Sequence, residues 1–318
     1  MNLSKTAIDI ANSAQLSCML EVCSYPKPGN ISRFSNFKDT RFEHFLSSSV
    51  AIGPIIQKAA MKALRINLNK PNIKLNVGRY ILECVKATKR WHQGGNTNLG
   101  IVTLLVPLAM GAAKAKMSNV NTDAKFLREN VGNIMMSTTP QDAIEYYRAI
   151  EILGFSGLGK TIKMPSLDVR DPHAKIQIIN KEYTLYQVMG KCSGWDNICS
   201  EWKTNMHITF NIGYPILKRI YKETNDVNIS IVTCYLTILA KYPDTLIARK
   251  NSYQMAENVS KKARSVLREG DILSKSGGRA LRKFDKELRT SNNNLNPGTT
   301  ADLTASSIMV ALLQGLRP

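Results

Sequence analysis

A chain of 318 residues with 43% hydrophobic content is long enough to bury a substantial core, and its lack of long Gly/Ser, Pro-rich or single-sign tracts excludes a disordered tail or an evident linker. The formal charge of +19 calls for a polyanionic partner (nucleotide phosphates, nucleic acid or an anionic membrane surface) without choosing among them. The six cysteines include no C-x-x-C pair, which argues against a zinc site and for reduced thiols in a cytosolic protein.

Apolar residues recur at helical spacing almost throughout, and alternating strand patterns are scarce. The pattern predicts helices over 3–24, 41–66, 77–89, 98–116, 124–135, 140–153, 183–193, 196–221, 227–241, 252–269, 275–289 and 300–315, which amounts to one all-α domain over residues 1–318. Lys175 to Leu185, with Ile176, Ile178 and Ile179, is the one stretch where a short strand competes. The N-terminal helix lacks a signal-peptide core. The longest apolar run, Leu99 to Ala113, reads as too short for a membrane span and contains Pro107, so a soluble, cytoplasmic protein without a membrane partner is expected.

Three loop-to-helix corners stand out in chain order. In the first, Glu21 closes a helix, where an acid opposes the helix dipole, and Tyr25-Pro26-Lys27-Pro28-Gly29-Asn30 follows. Two prolines stiffen this turn, which should present Lys27 to an anion, with Arg33 and Lys38 close behind; the bland alternative is a surface turn with an incidental lysine. Thr40 and Glu43 fit a capping box, which favours a structural role for Glu43. The second corner, Gly94-Gly95-Asn96-Thr97-Asn98-Leu99-Gly100, carries more hydrogen-bonding side chains than one N-cap consumes, and His92 stands just before it; the surplus suits recognition of a ribose or base. The third is Asn296-Pro297-Gly298-Thr299-Thr300-Ala301-Asp302. Thr299 and Asp302 fit a cap there, with a metal-phosphate role for Asp302 as the sharper alternative.

Other signals carry less. Gly154 to Thr161 matches the G-x-x-x-x-G-K-[ST] phosphate loop, but it follows a helix rather than a strand; Gly154 is therefore read as a helix C-cap, with Lys160 still able to touch phosphate. Asp168-Val169-Arg170-Asp171-Pro172-His173 suits either acid–base work or a self-neutralising surface cluster. Residues 241–290 hold thirteen Lys/Arg against six Asp/Glu, dispersed as on a solvated face.

Taken together, Glu21 with Pro26-Lys27-Pro28-Gly29, then Gly95 to Gly100, then Asp244-Thr245 with Arg249, then Phe284-Asp285 with Asn296 to Leu303, resembles the triphosphoribosyl-dephospho-coenzyme A synthase family. Leu167 to Pro172 and Ile208 to Pro215 resemble its archaeal-type branch. The resemblance implies an all-helical enzyme that joins ATP to the 2′-hydroxyl of 3′-dephospho-coenzyme A and releases adenine, with Mg²⁺ as the implied ion. It implies that Lys27, Asn30 and Arg33 bind phosphate and that Asn96, Thr97 and Asn98 orient ribose or base. Asp302 with Glu21 or Asp244 would hold Mg²⁺ or activate the hydroxyl, and Gly29, Arg249 and Gly298 complete the nucleotide-binding set. Where the family pattern has Ser-Pro-Gly-Gly-Ser-Ala-Asp this chain has Asn-Pro-Gly-Thr-Thr-Ala-Asp, and Arg249 to Gln254 lacks the acid and glycines of Arg-Gly-Gly-Glu-Gly-Gly. Asn98 stands where many members have histidine. Two other readings remain: ribosyl-phosphate transfer to another acceptor, such as a pterin-type C1 carrier, and a helical nucleic-acid-binding protein, which lacks its usual motifs. An oligomer is compatible with the sequence.

Overall fold

The computed structural model describes residues 2–66, 74–118, 123–155, 167–269, 274–289 and 294–318. Fifteen α-helices and one π-helical segment are found among them, and the only β pairing there is a single bridge between Ser32 and Ser35. The helices are α1 Leu3–Cys23, α2 Phe42–Arg65, α3 Val77–Trp91, α4 Leu99–Met117, α5 Ala124–Met136, α6 Pro140–Leu153, α7 Ala174–Asn180, α8 Leu185–Cys192 and α9 Asn197–Lys203. After the π segment Thr209–Gly213 come α10 Tyr214–Thr224, α11 Val227–Lys241, α12 Thr245–Lys250, α13 Tyr253–Arg268, α14 Lys275–Arg289 and α15 Gly298–Leu313.

Two helices are apolar on every side, and these occupy the centre, as an all-round hydrophobic helix must. α4 is buried along nearly its whole length and packs on α1, α2, α3, α5, α9 and α15. α15 is buried from Thr299 to Leu312 except at Asp302. The run Leu99 to Ala113, expected to be too short for a bilayer, continues as helix to Met117; Leu99–Met117 is long and apolar enough to span one, but 89% of its apolar 18-residue window is buried inside the protein, the position of a core helix. A second, smaller apolar cluster joins α11, α12, α13 and α14 through Tyr235, Leu239, Ile247, Val259, Phe284 and Leu288. α11 and α15 contribute to both clusters.

Local chemistry starts most elements where the sequence predicts. Thr139 and Asp142 form a capping box around Pro140 at the head of α6, and Asp142 also accepts the Gly78 amide at 2.9 Å, tying α3 to α6. Gly154 caps α6 at φ +75°, and the rest of the phosphate-loop match, from Ser156 on, lies outside the described residues. The stretch left open between strand, helix and loop is helix at Ala174–Asn180, with Ile178 inside and Ile176 and Ile179 exposed. Three expectations need correction. The single helix over 196–221 is broken: Asn205 and Met206 turn left-handed, Arg128 grips the carbonyls of Thr204 and Asn205, and buried Glu201 accepts the amides of Ile208 and Thr209 to start the π segment. Thr40 and Glu43 do not cap α2, because Arg41 is the N-cap and its amide donates to His44 Nδ1 at 3.1 Å. Nor do all six thiols stay reduced: the turn between α8 and α9 brings the Cα atoms of Cys192 and Cys199 to 5.6 Å and the two form a disulfide.

Candidate active site

The three corners meet at one cavity of about 240 Å³. Glu21 and Asn30 face it from the first, Asn96 to Gly100 from the second, and Asn296, Gly298, Thr299 and Asp302 from the third. Arg249 reaches it from α12. The opposite wall is largely apolar, built from Tyr146, Tyr147 and Ile150 of α6, Val188 and Met189 of α8, and Trp195 with Ile198.

In the first corner distant side chains hold the backbone of the turn. Tyr235 donates to Pro28 O at 2.9 Å, the Gly29 amide donates to Asp285 at 2.8 Å, and Arg289 donates to Asn30 O at 2.6 Å. Gly29 sits at φ +72°, and a Cβ there would meet Leu288 at 2.8 Å, so both conformation and space demand glycine. Lys27 is not presented to solvent, contrary to the reading of the turn as a stiff cationic loop: it is fully buried, ion-paired with Glu21 and 6.0 Å from the Tyr235 ring. Burial pushes the Glu21 carboxyl up and the Lys27 amine down, and each charge partly restores the other. Lys27 is thus the counter-ion that lets an acid stand at a buried helix end. Arg33 is exposed over Phe34 and away from the cavity.

Asp244 is also displaced from the role assigned to it. It lies behind the cavity wall, fully buried, as the N-cap of α12: one oxygen accepts the amides of Leu246 and Ile247 and the other accepts the amide and hydroxyl of Thr300 at 2.7 and 2.8 Å. With four donors its lone pairs are saturated, and it serves to fasten α12 to the first turn of α15. That clamp makes Pro297 the N-cap of α15 and leaves Asp302 beyond the first turn, so Asp302 is not a capping carboxylate.

Four carboxylates line the cavity. Glu21 pairs with Lys27, Asp196 with Arg249, and Asp168 with Arg170, whose two nitrogens sit at 3.0 and 2.6 Å. The contacts of Asp168 and Arg170 are those of a self-neutralising pair. Asp302 alone receives no hydrogen bond or ion pair from the described residues. It lies over the start of α4, where a Cβ on Gly100 would come within 2.0 Å of its Oδ2; only glycine leaves room for that carboxylate. Burial, then the charges of Glu21 and Asp244, push its carboxyl well above the usual range, with Arg249 opposing them.

The second corner divides its work. Asn96 caps α4 by accepting the amides of Asn98 and Leu99 at 3.2 and 3.0 Å. Asn98 donates to Thr88 at 2.9 Å while its Oδ1 finds no partner. Thr97 and His92 share a network with Ser48. Asn98 Oδ1, Asn296 Oδ1 and Arg249 Nε are all buried without hydrogen-bond partners among the described residues, and all three belong to cavity-lining residues. Sequence reasoning missed Ser48, Tyr146, Trp195 and Asp196 as wall or support, and Asn296 was read only as part of the third corner. Of the four, only Asp196 carried a signal, as an N-cap residue preceding a helical run.

A family model described as CitG, ATP:dephospho-CoA triphosphoribosyl transferase, matches residues 7–318. The chain is 33% identical over 94 residues to the 2-(5''-triphosphoribosyl)-3'-dephosphocoenzyme-A synthase of Escherichia fergusonii, a stretch covering 30% of each protein. It is 33% identical over 91 residues to the synthase of that name from Klebsiella pneumoniae, covering 29% of this chain and 30% of the relative. A crystal structure from Archaeoglobus fulgidus, provisionally named triphosphoribosyl-dephospho-coA synthase, superposes with a TM-score of 0.62 at 23% identity, over 86% of this chain and 100% of that one, and shows that the fold is shared. The match across residues 7–318 makes this chain a member of the CitG family of ATP:dephospho-CoA triphosphoribosyl transferases.

Proposed function

We propose that this chain transfers the triphosphoribosyl group of ATP to the 2′-hydroxyl of 3′-dephospho-coenzyme A and releases adenine. The observation that carries this reading is Asp302, the one cavity carboxylate without a partner among the described residues, set where all three corners meet. In the reaction the acceptor oxygen bonds to C1 of the ATP ribose as the bond from C1 to adenine N9 breaks. The electron pair leaves with the base. Asp302 takes the hydroxyl proton, and the departing adenine takes up one, so the products are neutral at those atoms. Burial and the neighbouring acids raise the Asp302 carboxyl, which favours its keeping the proton that it takes from the hydroxyl.

The unpartnered Arg249 Nε–H supports a role in gripping a phosphate oxygen, because buried guanidinium donors seek anionic acceptors. No group of three or more His, Cys, Asp and Glu side chains among the described residues is placed to hold a metal ion. Mg²⁺ does not require one, since it commonly takes one or two carboxylates plus substrate phosphates. Glu21 and Asp302 are the residues that would hold it with the triphosphate, where the ion would neutralise phosphate charge. The apolar wall with Trp195 and the two tyrosines suits a base or a pantetheine arm.

The test is incubation of the pure protein with ATP, Mg²⁺ and 3′-dephospho-coenzyme A, with mass spectrometry for free adenine and the triphosphoribosyl adduct. Both products are expected. Adenine without that adduct would move the proposal to a different acceptor, and no consumption of ATP would overturn it.

A further inference from the structure

Ser48 lies on α2, outside every motif, yet three contacts converge on its hydroxyl. It is 2.7 Å from His44 O, 2.9 Å from His92 Nε2 and 2.6 Å from Thr97 Oγ1. A hydroxyl has one proton and two lone pairs, so the three contacts have one consistent assignment. The His44 carbonyl can only accept, and it therefore takes the Ser48 proton. The Gly94 amide donates to His92 Nδ1 at 3.1 Å, so the neutral ring carries its proton on Nε2 and donates to Ser48. The remaining contact is a hydrogen bond only if Thr97 donates to Ser48 as well. Any other arrangement sets lone pairs against each other at under 3 Å.

The ring is held neutral by its surroundings: burial, with the neighbouring His44 and Lys89, lowers the His92 pKa to about 4, and His44 stacks on it at 4.9 Å. Thr97 lines the cavity, and the next residue, Asn98, carries a buried Oδ1 with no donor. With the Thr97 proton turned inward, Thr97 Oγ1, 3.3 Å from His92 Nε2, and Asn98 Oδ1 are left as acceptors in this corner.

We propose that His92 and Ser48 are positioning residues that fix Thr97 as a hydrogen-bond acceptor, so that this corner selects a proton-donating ribose hydroxyl of the bound nucleotide. The proposal rests on the nucleotide-binding reading above and adds a polarity to it. A ribose hydroxyl can donate to Thr97 and Asn98; a fluorine in its place has similar size but no proton to give.

Calorimetric titration of the protein with ATP and with its 2′-fluoro and 3′-fluoro analogues, without acceptor, tests this. One of the two analogues is expected to bind about 3- to 10-fold more weakly than ATP, the value of a single hydrogen bond. In Ser48→Ala the Thr97 proton is released to the cavity and the difference should shrink towards none, and Thr97→Val should weaken ATP while leaving that analogue nearly unchanged. A measurement without ligand stands beside these: the ¹⁵N spectrum of wild-type protein should show His92 neutral with its proton on Nε2. The inference is overturned by an Nδ1-protonated or charged His92, or by ATP binding that neither fluorine weakens. Failure to bind ATP at all would instead bring down the nucleotide reading together with this one.

Discussion

The corner at Pro26–Asn30 and the corner at Asn98–Gly100 with Asp302 border the same cavity, but they are built to opposite rules. Around the first, the buried charge is paired and the turn is held from outside: Lys27 meets Glu21, and Asp285, Arg289 and Tyr235 bind the backbone of the turn. Around the second, a carboxylate and an amide oxygen stand inside the protein without partners among the described residues. Unpaired buried polar groups cost stability and persist where a ligand completes them; saturated ones hold a shape. Motif residues of similar appearance therefore fall into two kinds, buttress and chemistry, and substitutions should separate them.

The largest effect is expected at Asp302. Asp302→Asn keeps the size and removes the proton acceptor, and adenine release should fall by about 10²- to 10⁴-fold. Because the native carboxylate is raised by burial and by nearby acids, its folded state loses stability as pH rises through that raised pKa, and the amide should match or exceed wild type in denaturant midpoint at neutral pH. A variant that keeps its rate would remove Asp302 from the chemistry.

Lys27 gives the contrasting result. Lys27→Met strands Glu21 as an uncompensated buried charge and should cost about 3–5 kcal/mol of unfolding free energy, while the Glu21→Gln/Lys27→Met pair should recover much of it. If Lys27 bound phosphate directly, ATP affinity of the folded single variant would collapse and stability would hold. Denaturant titration and ATP binding on the same sample distinguish the two outcomes.

This contrast also marks what was legible in the sequence. The periodicity of apolar side chains carried the helical fold, because burial of one face leaves its signature at every third or fourth residue. It failed at 196–221, where the break depends on Glu201 and Arg128 gripping backbone from elsewhere, and at α12, six residues long, whose start is set by Asp244. The corners were legible as motifs, but their division of labour was not. Nothing in Pro26-Lys27-Pro28 says that Lys27 points into the core, and Ser48 and Trp195 lie in unremarkable surroundings until distant helices close over them.

His92 offers a smaller effect with a definite sign. Its pKa falls from 6.5 in the unfolded chain to about 4 in the folded protein, mainly through burial and then through His44 and Lys89. Between those values the unfolded chain holds a proton that the folded protein does not, so this contribution is complete above pH 6.5 and is lost as pH drops towards 4. The loss is at most about 1.4 kcal/mol per pH unit. His92→Gln should flatten the fall in denaturant midpoint across that window, and an unchanged slope would show that His92 is not the group responsible.

The apolar wall, unlike either corner, carries a covalent link, which changes a count rather than an energy. Reduced thiols were the expectation for all six cysteines, yet Cys192 and Cys199 join where α8 meets α9, beside Trp195 and Asp196. Cys18, Cys84 and Cys234 are buried and Cys23 is exposed, all four as free thiols. Protein unfolded without reductant should therefore yield four titratable thiols, and six after reduction. Because Asp196 holds Arg249 at the cavity, reduction of the native protein should loosen ATP binding more than it disturbs the helical core. Equal ATP affinity in the oxidised and reduced forms would show that the α8–α9 turn keeps its shape without the bond.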